Sequence, residues 1–341
     1  MSVVARLLPD GRRLHLQHGP IDLVIEAWGA REEVAAAYRQ AVAAFPDVLP
    51  TLCRELAGLR RQVDDEAFAG VVAERMRRAC RALSSPPVRR GGIGGVARAA
   101  RVTGRFLEFE EIHETSPSAR SRALPPLLFA CGEQEGTPEI FLTPMAAVAG
   151  AVADHMLGCL VAGRRLEKAY VNDGGDIAFH LSRGASLACG LVADLTAPAL
   201  NGRFELTAEL PVRGLASSGR ATKGQGGRSF SLGIADAVTV LAGDAASADA
   251  AATLVANAVD LPGHGAVARA PAQDLDPDSD LGSRPVTVAL GALTRDEVAA
   301  ALARGHRAAE AFRRAGRLFA AVLVLGGQMT CVGLTREQIA A

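Results

Sequence analysis

Aromatic residues and net charge are both scarce in this chain of 341 residues. Phe, Trp and Tyr together make up 4% of the sequence, and Lys+Arg equal Asp+Glu at 37 each. Because proteins bind single-stranded nucleic acid with aromatic side chains set in a basic groove, this composition argues against a nucleic-acid partner. A net charge of zero also gives no long-range attraction to an anionic membrane surface. Any basic site is therefore expected to be local.

Paired cysteines and long apolar runs are also missing. The six cysteines are scattered without a C-x-x-C pair, which indicates reduced thiols rather than disulfides or a zinc site. The N-terminal sequence has no uninterrupted apolar segment of the kind found in secretion signals, and later apolar stretches are shorter than the ~20 residues that a membrane span needs. These absences predict a cytoplasmic protein without a membrane partner.

What is present is the composition of a globular protein, with 49% hydrophobic and 22% charged residues. Apolar residues recur at helical spacing over 31–44, 48–59 and 65–83, and a short helix is expected between two Pro/Gly-rich loops before a strand at 105–112. Further helices are predicted at 146–161, 248–259 and 295–315. Further strands are predicted at 21–27, 127–131, 140–143, 168–172, 177–181, 186–193, 203–210, 237–242, 266–270, 286–290 and 319–325.

Strand pairs joined by short Gly turns, with only a few helices, favour an α+β fold over a doubly wound parallel fold. We expect mostly antiparallel sheets with flanking helices. The prediction is one domain over 1–341, with a helical N-terminal part at 28–100 and a sheet-rich part at 101–341 that carries the functional motifs.

The first motif is YVNDGGD at Tyr170–Asp176, which lies between two apolar strands. Its glycines permit positive φ and let a ligand approach the backbone closely. Asp-Gly is also the commonest signal of a plain hairpin turn. The local sequence by itself favours the plain turn.

The second motif is SSGRATKGQGG at Ser217–Gly227, in which cations alternate with glycines. Arg220 and Lys223 could converge with backbone N–H groups on a pyrophosphate. The segment is not a Walker A loop, because no Gly-Lys-Ser/Thr occurs. A solvated turn is the alternative.

The third motif is SADAAATLVANAV at Ser247–Val259. Ser247 is predicted to cap a helix with Asp249 in its first turn, and Thr253 follows about 40° around the helix axis. A carboxylate and a hydroxyl on one face can share a hard cation such as Mg²⁺. The alternative is a capped helix in which Asp249 only complements the helix dipole.

Together the motifs resemble the ApbE superfamily of FAD:protein FMN transferases, and more closely its uncharacterised cytoplasmic relatives in bacteria and archaea. The resemblance also rests on HGPIDLVIEA at 18–27, FLTPMAAVAGAVAD at 141–154 and SDLG at 279–282. It implies an ApbE-like fold, FAD as ligand or substrate, and Mg²⁺. The implied flavin-site residues are Asn172, Gly174, Gly175, Asp176, Ser217, Ser218 and Gly219, with Arg220 and Lys223 following them. The implied metal ligands are Asp249, Thr253 and the backbone carbonyl of Val148.

The chain departs from ApbE where a transferase needs a base. ApbE proteins carry H-x-x-D-P before a VTV strand, but this chain reads RSFSLGIADAVTV at 228–240. His155 and His180 neighbour the motifs and are candidate replacements, although each fits a core or surface histidine better.

Three functions follow as alternatives. One is Mg²⁺-dependent transfer of FMN from FAD to an acceptor protein, or to water. Another is flavin binding or delivery without catalysis. The last is an enzyme that uses the same pocket for another small anion. The acceptor and the role of SDLG stay open, and a homo-oligomer is compatible with all three.

Overall fold

The computed structural model describes residues 2–84, 98–103, 106–111, 140–191, 202–219 and 230–334. Its centre is a nine-stranded sheet in which every pair of neighbours runs antiparallel. In spatial order the strands are β1 (Val4–Leu7), β2 (Leu14–His18), β3 (Ile21–Gly29), β6 (Leu166–Asp173), β7 (Asp176–Leu181), β10 (Gly214–Ser218), β11 (Ala237–Ala242), β14 (Ala320–Leu325) and β15 (Gln328–Val332).

Among the described residues, three two-stranded ribbons complete the strands. They pair β4 (Arg98–Thr103) with β5 (Phe106–Glu111), β8 (Ser186–Leu191) with β9 (Gly202–Thr207), and β12 (Val267–Pro271) with β13 (Pro285–Leu290). The helices are α1 (Arg31–Ala44), α2 (Val48–Leu59), α3 (Val71–Ser84), α4 (Val148–Val161), α5 (Ala245–Ala258), α6 (Ala272–Leu275) and α7 (Arg295–Arg314). The α+β class with mostly antiparallel sheets is thus confirmed.

Helices α4 and α5 form the layer against one face of the sheet. Helix α4 lies on β6 and β7, α5 lies on β10 and β11, and the two helices contact each other. Ten residues of α5 are buried and eight of these are alanine, so the helix is apolar nearly all round, as expected of a core helix. Outside this pair lie α1, α3 and α7. The opposite face of β7 carries Phe179 and Leu181, which pack against Phe204 and Leu206 of β9.

Helix α4 continues a short 3₁₀ turn at Pro144–Ala147. The combined stretch Pro144–Val161 has 18 residues with a mean hydropathy of 1.5, long and apolar enough to cross a membrane by length and composition. The sequence analysis expected the apolar stretches to be shorter than the ~20 residues of a membrane span, and this stretch of 18 residues comes close to that length. The helix contacts α1, α3, α5 and the sheet, and this packing accounts for its apolar composition.

Several predicted elements differ from the structure. Helix α3 starts at Val71 rather than near 65, because the Asp64 carboxylate accepts the Glu66 N–H in a local turn and Gly70 follows. The short helix expected before 105 is instead strand β4. Residues 140–143 form no strand, contrary to the prediction. The strand predicted at 127–131 lies outside the described residues, and strands β1, β2, β10 and β15 were not predicted.

Candidate functional site

The DGGD motif forms the hairpin between β6 and β7, in which Asp173 pairs with Asp176. Gly174 and Gly175 have φ of 63° and 113°, which residues with a side chain rarely adopt. Asn172 Oδ1 accepts the Gly175 N–H at 2.8 Å, so this side chain closes the turn. Because side chains alternate along a strand, Asn172 lies on the opposite face of the sheet from Asp173 and Asp176.

Strand β10 brings the SSG motif beside this hairpin. Its residues Gly214 and Leu215 pair with β7, and beyond them Ser217 N–H donates to Asp176 Oδ1 at 3.1 Å. The Ser217 hydroxyl lies 2.8 Å from the Thr239 hydroxyl of β11. Ser217 and Asp176 therefore belong to one local network.

Beyond Ser217 the strand ends in Ser218 and Gly219, which has φ of 142°. A Cβ on Gly219 would lie 2.6 Å from the Asp236 carbonyl oxygen, so the backbones approach closely here. Arg220 and Lys223 lie outside the described residues, and their predicted role stays a prediction.

The N-cap of α5 is Asp244, whose carboxylate accepts the Ser247 N–H at 2.7 Å. The expectation that Ser247 caps the helix was wrong. Asp249 consequently lies in the second turn rather than the first. Thr253 follows one turn later on the same side of the helix, as the spacing predicted.

Asp249 reaches across to the start of α4. Its Oδ2 accepts the Gly150 N–H at 3.1 Å, and the Ala149 N–H also contributes a hydrogen bond. Val148 is the first residue of α4, directly before these two N–H groups. Its carbonyl stays a predicted ligand.

The two helices cap each other reciprocally. Asp154 of α4 accepts the N–H groups of Ala245 and Ala246 at 3.1 and 2.9 Å, while Asp249 of α5 caps α4. Glycine makes this approach feasible, because a Cβ on Gly150 would lie 2.2 Å from the Ala245 carbonyl oxygen. Gly150 and Asp154, both within the FLTPMAAVAGAVAD segment singled out in the sequence, thus hold the starts of the two helices together.

Asp173, Asp176 and Asp249 form a cluster of carboxyl groups that influence one another's pKa. Burial raises the pKa of Asp173 to about 8, and the Asp176 carboxylate adds to the shift. Burial also raises the pKa of Asp176, which the Ser217 N–H opposes. Burial and then Asp176 raise the pKa of Asp249 well above its ordinary value. These electrostatics favour either bound protons or a bound cation.

The cluster resembles a site that supplies only some of the ligands of a cation, with substrate oxygens supplying others. Asp173 is 9% exposed, while Asp176 and Asp249 keep partly accessible surface. Within the described ranges none of the three forms an ion pair, and no group of three or more His, Cys, Asp or Glu side chains has metal-binding geometry. Mg²⁺ commonly binds one or two carboxylates and keeps other positions for water and substrate phosphate. Asp249, with the Asp176 carboxylate beside it, offers carboxylates of that kind.

The candidate histidines lie apart from the cluster. His155 Nε2 is 3.8 Å from the Cys159 thiol one turn along α4, and burial lowers the pKa of His155, with Arg75 contributing. His180 is on β7, four residues from Asp176 and so roughly 13 Å away along the strand. Within the described residues, no histidine hydrogen-bonds to the three carboxylates.

Two residues near the cluster were not singled out from the sequence. Asp173 was visible within DGGD and so had a local signal, whereas Cys80 of α3 had none. Its buried thiol donates to the Thr143 carbonyl at 3.4 Å, and burial together with the Asp249 charge raises its pKa.

These features define an antiparallel α+β protein in which a Gly-Gly hairpin meets two helix N-termini around buried carboxylates. The family model described as AbpE bacteria matches residues 5–104 and 115–331, and the chain belongs to this family. The resemblance found in the sequence is thereby confirmed.

Curated relatives have names without a stated activity. The chain is 37% identical over 116 residues to a UPF0280 protein of Methanobrevibacter smithii, covering 33% of this chain and 45% of that protein. It is 38% identical over 134 residues to UPF0280 protein MK0206 of Methanopyrus kandleri, covering 36% and 50%. The chain therefore spans about half the length of the curated relatives it matches.

A solved structure also aligns over nearly the whole chain. It is the apo form of the flavinyl transferase ApbE of Pseudomonas stutzeri, with 13% sequence identity and a TM-score of 0.41. The alignment covers 97% of this chain and 94% of that one.

Proposed function

We propose that this protein binds FAD and, with Mg²⁺, transfers FMN to a hydroxyl group of an acceptor protein. The observation that carries the proposal is the meeting of Asp176, Ser217 and Asp249, one residue from each of the three motifs. Family membership supports it, because these are the segments that resemble the ApbE superfamily.

Each motif has a part in binding. Asp249, with Thr253 and backbone oxygens, would hold the metal. Gly174, Gly175 and Gly219 would let the nucleotide approach the backbone, and the cations that follow β10 would neutralise phosphate charge. A bound Mg²⁺ would supply charge neutralisation on the pyrophosphate oxygens.

The transfer exchanges one phosphoanhydride bond for one phosphoester bond. The acceptor oxygen attacks the FMN phosphorus, the bond to the bridging oxygen breaks, and AMP leaves with that oxygen. The hydroxyl proton passes to a base. Asp173 is a candidate for this base, and because its pKa is about 8, it would accept the proton as a carboxylate at mildly alkaline pH.

The second candidate function is flavin binding or delivery without transfer. The specific observation that favours it is the separation of His155 and His180 from the carboxylates. General-base assistance is typically worth ~10²–10⁴ in rate. If Asp173 does not take the place of a histidine base, the protein would bind flavin without useful turnover.

Turnover with candidate acceptors separates these functions. The protein is incubated with FAD, Mg²⁺ and acceptor proteins encoded near its gene, with AMP followed by chromatography and covalent flavin by in-gel fluorescence. AMP with a fluorescent acceptor band supports the transferase, and AMP without a band indicates hydrolysis. Tight FAD binding without either product would overturn transfer in favour of the binding protein. Absence of FAD binding would favour a different small anion.

A further inference from the structure

The SDLG segment, Ser279–Gly282, contacts the chain just before α4. Asp280 Oδ2 accepts a hydrogen bond from the Thr143 hydroxyl, and Thr143 is 3% exposed. The two residues are 137 positions apart in sequence. A buried hydroxyl held by a carboxylate forms a charge-assisted hydrogen bond, which is among the stronger kinds.

A second contact holds the same two segments together. The Arg284 guanidinium lies over the Phe141 ring, 3.2 Å from its centroid. Burial lowers the pKa of Arg284, and the Asp280 charge opposes this effect. Asp280 therefore faces both the Thr143 hydroxyl and the Arg284 cation.

The loop that carries Asp280 is itself fixed by backbone hydrogen bonds. Gln273 N–H donates to the Gly282 carbonyl at 2.8 Å, and Ala272 N–H donates to the Arg284 carbonyl at 3.0 Å. At the start of β13, Thr287 N–H donates to the Ser231 carbonyl at 2.8 Å. The Asp280 carboxylate is thus presented from a rigid support.

Thr143 in turn adjoins the proposed metal site. Its carbonyl accepts the Cys80 thiol at 3.4 Å and the Ala146 N–H at 3.1 Å. Cys80 is close enough for the Asp249 charge to raise its pKa. The 3₁₀ turn that Thr143 begins runs directly into α4, whose Gly150 N–H holds Asp249.

We propose that Asp280 is a positioning residue for Asp249, acting through Thr143 and the start of α4. The proposal rests on the proposed function for the identity of the bound ion and nucleotide. It assigns a role to SDLG: the segment fixes the turn that sets where the α4 N–H groups hold the Asp249 carboxylate. Groups that orient a metal ligand commonly change metal affinity about 10–100-fold when removed.

The test measures Mn²⁺ affinity by electron paramagnetic resonance on metal-free full-length protein, with FAD affinity measured in parallel. Asp280→Ala is expected to weaken Mn²⁺ binding about tenfold. The matched control is Asp278→Ala, which removes the same charge from an exposed position of the same loop and is expected to bind Mn²⁺ like the parent. Asp280→Asn keeps a hydrogen-bond acceptor and should recover most of the affinity.

Thr143→Val is the alternative variant if Asp280→Ala fails to fold. It breaks the same hydrogen bond, because valine matches threonine in shape but lacks the hydroxyl. Thr143→Val should match the loss in Asp280→Ala, and the double variant should be no worse than either, as for two residues acting through one contact. Thr143→Ser should bind like the parent.

Parent-like Mn²⁺ affinity in folded Asp280→Ala or Thr143→Val would overturn the positioning role and leave the proposed function standing. A parent protein that binds neither Mn²⁺ nor FAD would overturn both.

Discussion

Asp249 makes a structural hydrogen bond and has a proposed role in metal binding. Replacing one carboxylate oxygen by an amide nitrogen distinguishes the two. Its Oδ2 accepts the Gly150 N–H, a capping contact that a neutral amide oxygen can also make. Mg²⁺ binding depends mainly on the negative charge of a carboxylate. Asparagine at this position therefore keeps the hydrogen bond to the Gly150 N–H and removes the charge, whereas alanine removes both.

We expect Asp249→Asn to fold with a thermal midpoint near that of the parent while losing its response to Mg²⁺. At about 100 times its Kd a ligand stabilises the folded state by ~2.7 kcal/mol, so Mg²⁺ should raise the parent's midpoint by a few degrees. Asp249→Ala should lose a further ~1 kcal/mol, as for a helix cap. Differential scanning fluorimetry with and without Mg²⁺ measures each effect. An equal Mg²⁺ response in Asp249→Asn would exclude Asp249 as a ligand.

The buried carboxylates also predict how stability depends on pH. Asp173 has a folded pKa of about 8 against an ordinary value of 3.8, so the folded protein keeps a proton that the unfolded chain releases. The proton on Asp173 contributes its full stability at pH values below the pKa of the unfolded chain. This stability is lost as the pH rises through the pKa of the folded protein. Asp154, with a pKa raised to about 6, acts in the same direction.

Without metal, the thermal midpoint should therefore fall as the pH rises from about 5 to about 8. Glu74 has a pKa lowered to about 2. The stability that its carboxylate gives the protein is lost only as the pH falls below this range, so it does not affect the trend between about pH 5 and about pH 8. Asp173→Asn should flatten the slope. Melting curves across this range supply the measurement, and a midpoint that rises with pH in the parent would contradict the assignment.

At the scale of elements, each of α4 and α5 supplies a carboxylate that accepts hydrogen bonds from the N-terminal N–H groups of the other. Asp154 caps α5 and Asp249 caps α4, so any change that separates the helices breaks both contacts. The sequence predicted the two helices and located Asp249 and Thr253 on one of them. Reciprocal capping could not be predicted, because the residues of the Asp249–Gly150 bond are 99 positions apart.

Gly150→Ala tests this coupling against a control in the same helix. The new Cβ would lie 2.2 Å from the Ala245 carbonyl oxygen, whereas a Cβ on Gly158 meets nothing within 4 Å. We expect Gly150→Ala to cost ~1–3 kcal/mol, as for overpacking, and to weaken Mg²⁺ binding. Gly158→Ala should gain ~0.5–1 kcal/mol, since alanine favours a helix interior. Urea denaturation gives both values, and equal stability of the two variants would contradict the close approach.

At the scale of the whole molecule, the sheet order decides what meets in the site. Sequence patterns identified most core strands, yet β6 lies beside β3, β10 beside β7, and β14 beside β11, and no local pattern specifies such non-consecutive pairing. Short or partly exposed edge strands such as β1 and β15 carry weak apolar alternation and were missed. The motif residues were found through resemblance to a family, whereas the acidic cluster they form, with Asp173 as its most buried member, required the fold.

The central claim is that this acidic cluster is a Mg²⁺-dependent FAD site. Isothermal titration of FAD into metal-free protein, with and without Mg²⁺, tests it most directly. We expect micromolar or tighter binding with Mg²⁺, much weaker binding without it, and loss of the Mg²⁺ effect in Asp249→Asn. Absence of FAD binding under both conditions, or identical binding by parent and variant, would contradict a Mg²⁺-dependent FAD site at this cluster.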